Sequence, residues 1–201
     1  MTRVLLATAN VHKLAELRRL LAADGVTGLT VLGLPDLGRY QEPVEDGATF
    51  EDNALIKARA AAAASGLPAL ADDSGLCVDA LNGMPGVLSA RWCGRHGADA
   101  ANLELVLAQV ADVPDARRGA QFDCAAALVL PSGAEHVLRA SWRGTLVRAA
   151  RGVNGFGYDP IFVPAGETRT SAELDPDEKD ARSHRAKALR AMLPRLRALA
   201  R

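Results

Sequence analysis

TFEDNALIKARAAAAASGLPALADDSG, Thr49 to Gly75, decides the fold class of this chain. Thr49 and Asp52, three residues apart, read as a capping box, in which the hydroxyl and the carboxylate each accept a backbone N–H that a helix start leaves without a partner. An alanine-rich stretch suits the helix that follows. Gly66 can take the left-handed conformation that ends a helix, and Pro68 forbids continuation. Ala69 to Ala71 then reads as a strand delivering Asp72 and Asp73. Helix followed directly by buried strand predicts an α/β domain.

The flanking segments alternate in the same way. Upstream, Arg3 to Ala7 suits a buried strand, and Asn10 can cap a helix whose Leu14, Leu17 and Leu21 share a face before Gly25 ends it. A second apolar run, Leu29 to Leu32, leads into an acidic loop with Asp36, Glu42, Glu45 and Asp46. Downstream, Asp99 is placed to cap a helix in which Leu103, Val106, Leu107 and Val110 follow helical spacing. Gln121 to Leu130 and His136 to Trp142, joined by Pro131, Ser132 and Gly133, predict an antiparallel hairpin. A glycine-rich loop precedes a short strand at Ile161 to Val163, and a basic helix is expected from about Asp177, kinked or restarted at Pro194. The fold class is α/β with a mixed central β-sheet and flanking helices.

At 201 residues and 49% hydrophobic, the chain can bury about 70% of its unfolded surface, enough for a single domain over residues 1–201 with room for two lobes and no separable linker. Its 24 basic and 24 acidic residues balance, which disfavours a nucleic-acid partner but leaves room for a small anion in a locally basic pocket. Three cysteines without a CxxC pattern suit a reducing compartment. No signal-peptide pattern and no apolar run of about 18 residues are present, so a soluble, cytoplasmic protein without membrane partners is expected.

Four segments carry candidate chemistry. In Leu5 to Leu17 a strand runs through Thr8, Ala9 and Asn10 into a helix, whose free amides favour phosphate, with Lys13 adding a charge in the first turn. An ordinary capped helix with a solvated lysine fits the same residues. Asp72 and Asp73 suit a metal or proton-transfer site, or equally a strand ending in an Asp-Ser-Gly turn. Glu45 can converge with Asp73, and two carboxylates with substrate phosphates and waters make a magnesium shell; Glu42 and Asp46 compete with Glu45 on composition. In the fourth, Phe156 and Tyr158 among glycines offer an aromatic face for a planar base, and Lys179, His184 and Arg185 project from a helix start.

Five segments, TANVHKLAEL, TFEDNALIKARAAA, LADDSGLCVDALNGMPGVLSARWCG, GFGYDPIF and ELDPDEKDARSHRAKAL, occur in the order and spacing of the noncanonical purine nucleoside triphosphate pyrophosphatases, the inosine triphosphatase-like enzymes, which the chain resembles over nearly its whole length. The resemblance implies an elongated two-lobed fold with a cleft between the lobes, usually dimeric. It implies hydrolysis of ITP, dITP and XTP to monophosphate and pyrophosphate with Mg2+. By motif match, Thr8, Ala9, Asn10, Val11, His12 and Lys13 would bind phosphate, and Glu45 and Asp73 would hold magnesium. Asp73 would also accept the proton, and Ser74 would touch substrate. Phe156, Gly157, Tyr158 and Asp159, with Lys179, His184 and Arg185, would line the nucleotide site, and Arg185 or a backbone amide would read the oxo group at purine position six. The chain departs from many relatives at His12, where they carry glycine, and at Pro194 in the final helix. A pyrophosphatase for another modified nucleotide, a noncatalytic nucleotide sensor and a nucleic-acid-binding module are the alternatives.

Overall fold

The structure, a computed structural model, describes residues 1–38 and 40–200 and their side chains, that of His12 excepted. In chain order the elements are β1 (Thr2–Leu6), α1 (Val11–Ala23), β2 (Leu29–Gly33), α2 (Phe50–Ser65), β3 (Ala69–Val78), α3 (Asp99–Gln109), β4 (Gly119–Val129), β5 (Glu135–Leu146), β6 (Phe162–Pro164), α4 (Pro176–Arg182) and α5 (His184–Leu199), with short 3-10 turns between them. The strands form one six-stranded sheet in the order β2-β1-β3-β4-β5-β6. β1 pairs parallel with β2 and β3, and β5 pairs antiparallel with β6, so the sheet is mixed as expected.

The chain divides into two compact units. The first comprises Met1–Asp73, Cys124–Ala140 and the chain from Arg185 onward; the second comprises Ser74–Asp123 and Ser141–His184. Three of the four passages from one unit to the other fall inside strands β3, β4 and β5. In the first unit, Leu17, Leu20 and Leu21 of α1 and Leu189, Met192, Leu193 and Leu196 of α5 form helical stripes, packed with Val4, Leu6, Val31 and Leu70 of the strands. The core of the second unit gathers Leu76, Val78, Val106, Phe122, Trp142, Ile161, Phe162 and Leu174. Among the described residues no helix is long and apolar enough to cross a membrane.

The capping signals around α2 are realised: the Thr49 hydroxyl accepts the Asp52 N–H and the Asp52 carboxylate accepts the Thr49 N–H, both at 3.1 Å, and Gly66 ends the helix in the left-handed conformation. Three expectations are corrected. β3 does not stop at Ala71 but runs ten residues through both aspartates. Gly75 is glycine because a Cβ there would overlap the Gly86 carbonyl and the Ser89 hydroxyl, so close packing and not a turn demands it. Asp99 is the first residue of α3, whose N-cap is Ala98; its carboxylate accepts the Gly157 N–H at 3.1 Å instead. The basic C-terminal stretch is two helices that break at an extended Ser183, and α5 continues past Pro194 to Leu199. Pro194 lies on the exposed side of α5, where water can serve the carbonyl that its missing N–H leaves.

Candidate active site

Adjacent residues of a strand point to opposite faces, and this separates the two aspartates of β3. Asp72 lies on the face of Leu70, toward α1 and α5. Its carboxylate, 2% exposed, accepts Lys13 Nζ at 2.8 Å and Arg185 Nε at 3.0 Å, and Arg185 also pairs with Glu16 at 3.4 Å. Burial alone would push the Asp72 carboxyl up, but Lys13 and Arg185, with Lys57 behind them, outweigh it and hold the group well below the usual carboxylate range. Asp72 is thus the shared acceptor of two cations inside the first unit.

Asp73 faces α2. Asn53 and Lys57, one turn apart on that helix, both reach it: Asn53 Nδ2 donates to Oδ2 at 3.1 Å, and Lys57 Nζ lies 3.3 Å from Oδ1. The same ammonium is 2.8 Å from Glu45, whereas Glu42 and Asp46, which compete with Glu45 on composition, stand exposed. Burial would lower Lys57, but Asp73, Glu45 and Asp72 together keep it charged. Burial and the neighbouring Glu45 push the Asp73 carboxyl up, with Lys57 and Asn53 offsetting only part. Here the carboxylates of Glu45 and Asp73 converge on the Lys57 ammonium. Among the described residues no group of three or more His, Cys, Asp or Glu side chains gathers as a complete metal cage. Two hard oxygen donors are the kind of ligand a small divalent cation takes, with waters and phosphate oxygens completing its shell.

The strand-to-helix turn ahead of α1 is built as its sequence suggests. Thr8 Oγ1 accepts the Asn10 N–H at 3.1 Å, and Asn10 Oδ1 accepts the Lys13 N–H at 3.4 Å, which caps the helix. No acidic residue occupies the first turn of α1. Ala9 and Val11 are exposed, and the side chain of His12 lies outside the described residues.

In the second unit, Asp159 organises the glycine-rich loop. It is 2% exposed and accepts the Phe156 N–H at 2.9 Å, the Ser171 hydroxyl at 2.5 Å and the Lys179 ammonium. Lys179 Nζ also sits 5.1 Å from the centre of the Phe156 ring, whose face is partly exposed. The two loop aromatics part company: Tyr158 is buried in the core with its hydroxyl donating to the Ser89 carbonyl at 2.8 Å. His184 is buried with its ring stacked on Phe122 at 4.8 Å, and Ser74, the first residue of this unit, is half-buried on β3. Arg185, next to His184 in sequence, belongs to the first unit with Asp72 and Glu16.

Gly155 has φ +75°, and a Cβ there would overlap the Asp159 carboxylate; Gly157 has φ +61° but open space around it. Gly157→Ala is expected to cost about 1 kcal/mol in chemical denaturation for the left-handed backbone alone. Gly155→Ala is expected to cost more, about 1–3 kcal/mol, because it also disturbs the Asp159–Lys179 pair. Equal losses would show that the pair does not depend on Gly155.

Sequence reading passed over Asn53 and Lys57. The available signal was their spacing: two polar side chains at i and i+4 in an alanine-rich helix share one stripe, so they address one target.

The profile of the Ham1 family matches residues 4–195. The dITP/XTP pyrophosphatase of Nocardia farcinica is 62% identical over 200 residues, covering 100% of this chain and 97% of that one. The dITP/XTP pyrophosphatase of Streptomyces coelicolor is 56% identical over 199 residues, covering 99% of each. Among solved structures, a HAM1 protein from Coxiella burnetii superposes with a TM-score of 0.89 at 42% identity, covering 98% of both chains. The nucleoside-triphosphatase / dITP/XTP pyrophosphatase from Mycobacterium abscessus does so with a TM-score of 0.79 at 59% identity, covering 97% of this chain and 100% of that one. Matched along nearly its full length by the family profile and by these relatives, the chain belongs to the Ham1 family.

Proposed function

We propose that this protein hydrolyses the noncanonical purine nucleotides ITP, dITP and XTP to the monophosphate and pyrophosphate, with Mg2+ as cofactor, and so cleanses the cytoplasmic nucleotide pool. The observation that carries the reading is the convergence of Glu45 and Asp73 on the Lys57 ammonium, in the unit that also holds the turn before α1. Glu45 and Asp73 would hold the metal, which when bound supplies positive charge to the phosphates and to the water that attacks phosphorus. The run from Thr8 to Lys13 at the start of α1 binds phosphate, and the Lys13 ammonium is a point charge shared between Asp72 and that phosphate. Asp73 accepts the proton of the water.

In the second unit, Phe156 with Lys179 offers a stacking face for the base, held by Asp159. Selectivity requires a donor directed at the oxo group of position six, because an adenine amino group would leave that donor unpaired. Arg185, which already pairs with Asp72 and Glu16, or a backbone amide supplies that donor. The protein is proposed to act as a homodimer, which static light scattering tests by a mass of two chains.

A panel of ITP, XTP, dITP, ATP and GTP, with pyrophosphate detected separately from orthophosphate, tests the proposal. The expected result is pyrophosphate release with kcat/KM for ITP or XTP above that for ATP by about 10²-fold or more, since a site that hydrogen-bonds one polar group can discriminate this strongly. No preference, or release of orthophosphate as the first product, would overturn it.

A further inference from the structure

Asn53 is 1% exposed near the start of α2, and a buried carboxamide must satisfy both its ends. Its Oδ1 accepts the Gly47 N–H at 2.8 Å, and its Nδ2 donates to Asp73 Oδ2 at 3.1 Å. The orientation is fixed by chemistry, since a backbone N–H only donates and an ionised carboxylate only accepts. The two bonds reach different stretches of chain, because Gly47 closes the acidic loop that carries Glu45, whereas Asp73 stands on β3. The loop is pressed against α2 at this point: a Cβ on Gly47 would lie 2.5 Å from Asp52 Cβ and 2.7 Å from Asn53 Oδ1. One turn further along, Lys57 faces Glu45 and the other oxygen of Asp73.

We infer that Asn53 is a positioning residue, which fixes Oδ2 of Asp73 and, through its other end, holds the loop that carries Glu45 in register with β3. A neutral amide is suited to this task because it orients a carboxylate without cancelling the charge, as a lysine or arginine in its place would. The inference rests on the proposed roles of Glu45 and Asp73.

Two substitutions separate its two bonds. Asn53→Asp keeps the shape and the acceptor for the Gly47 N–H but loses the donor to Asp73; Asn53→Leu loses both. Positioning predicts that each lowers kcat on ITP by about 10–100-fold while KM stays within about threefold. In calorimetry without nucleotide, Asn53→Leu is expected to bind Mn2+ about tenfold more weakly than wild type, and Asn53→Asp, which adds a carboxylate, no more weakly. Wild-type kcat in Asn53→Asp would reduce Asn53 to a loop tether and overturn the inference, as would wild-type Mn2+ affinity in Asn53→Leu. Melting curves identify a variant that fails to fold, in which case the isosteric Asn53→Asp decides. If wild-type protein hydrolyses none of the nucleotide panel, the functional proposal falls, while the Mn2+ comparison still decides the role of Asn53.

Discussion

Replacing Asp73 by asparagine is expected to lower kcat on the preferred nucleotide by about 10²–10⁴-fold, the range that a positioned proton acceptor contributes. The substitution preserves shape, and an amide oxygen at position 73 can still accept from Asn53 Nδ2. What disappears is the negative charge opposite Lys57 and beside Glu45. Nucleotide binding, measured by calorimetry, should remain detectable, because the turn before α1 and the Phe156 face are untouched. Unchanged turnover would remove Asp73 from the mechanism.

Asp72→Asn should instead be felt in folding. Lys13 and Arg185 are both largely buried and both rely on Asp72, and removing one partner of such a network leaves charge without compensation. About 3–5 kcal/mol of stability should be lost in urea denaturation at pH 7. The pH dependence has a definite sign. Folding holds the Asp72 carboxyl below its usual range, so the unfolded chain takes up the proton first. The stability from ionised Asp72 is therefore present above about pH 4 and drains away as pH falls below it. The difference between wild type and Asp72→Asn should accordingly narrow between about pH 5 and pH 2, and a difference that persists unchanged to pH 2 would deny Asp72 this role.

What the sequence made legible was local. Thr49, Asp52 and Gly66 bound α2 because capping and left-handed stops are set within a few residues. Leu17 and Leu21 were readable as a core stripe for the same reason. The continuation of β3 through Asp-Ser-Gly was not readable, since the requirement for Gly75 comes from Gly86 and Ser89, brought against it by tertiary packing. Glu45 and Asp73 were recognised as acids that converge, but the side chain joining them, Lys57, lay in a helix whose alanine content drew attention to packing. Phe156 and Tyr158 looked alike by composition; a core that buries one and leaves the other partly exposed is a property of the whole second unit. Arg185 and His184 were grouped because they adjoin in sequence, though the unit boundary falls between them.

That boundary, with the passages inside β3, β4 and β5, has a genetic consequence. No gene fragment encodes either unit alone: a chain ending at Asp73 would lack the Leu189, Met192 and Leu196 stripe that completes its core. A protease nick in the exposed turn at Pro131, Ser132 and Gly133 would sever the backbone without releasing a unit, because both flanking stretches belong to the first. The two units must therefore be inherited and translated as one message, and neither can be exchanged as a module by simple recombination at a linker.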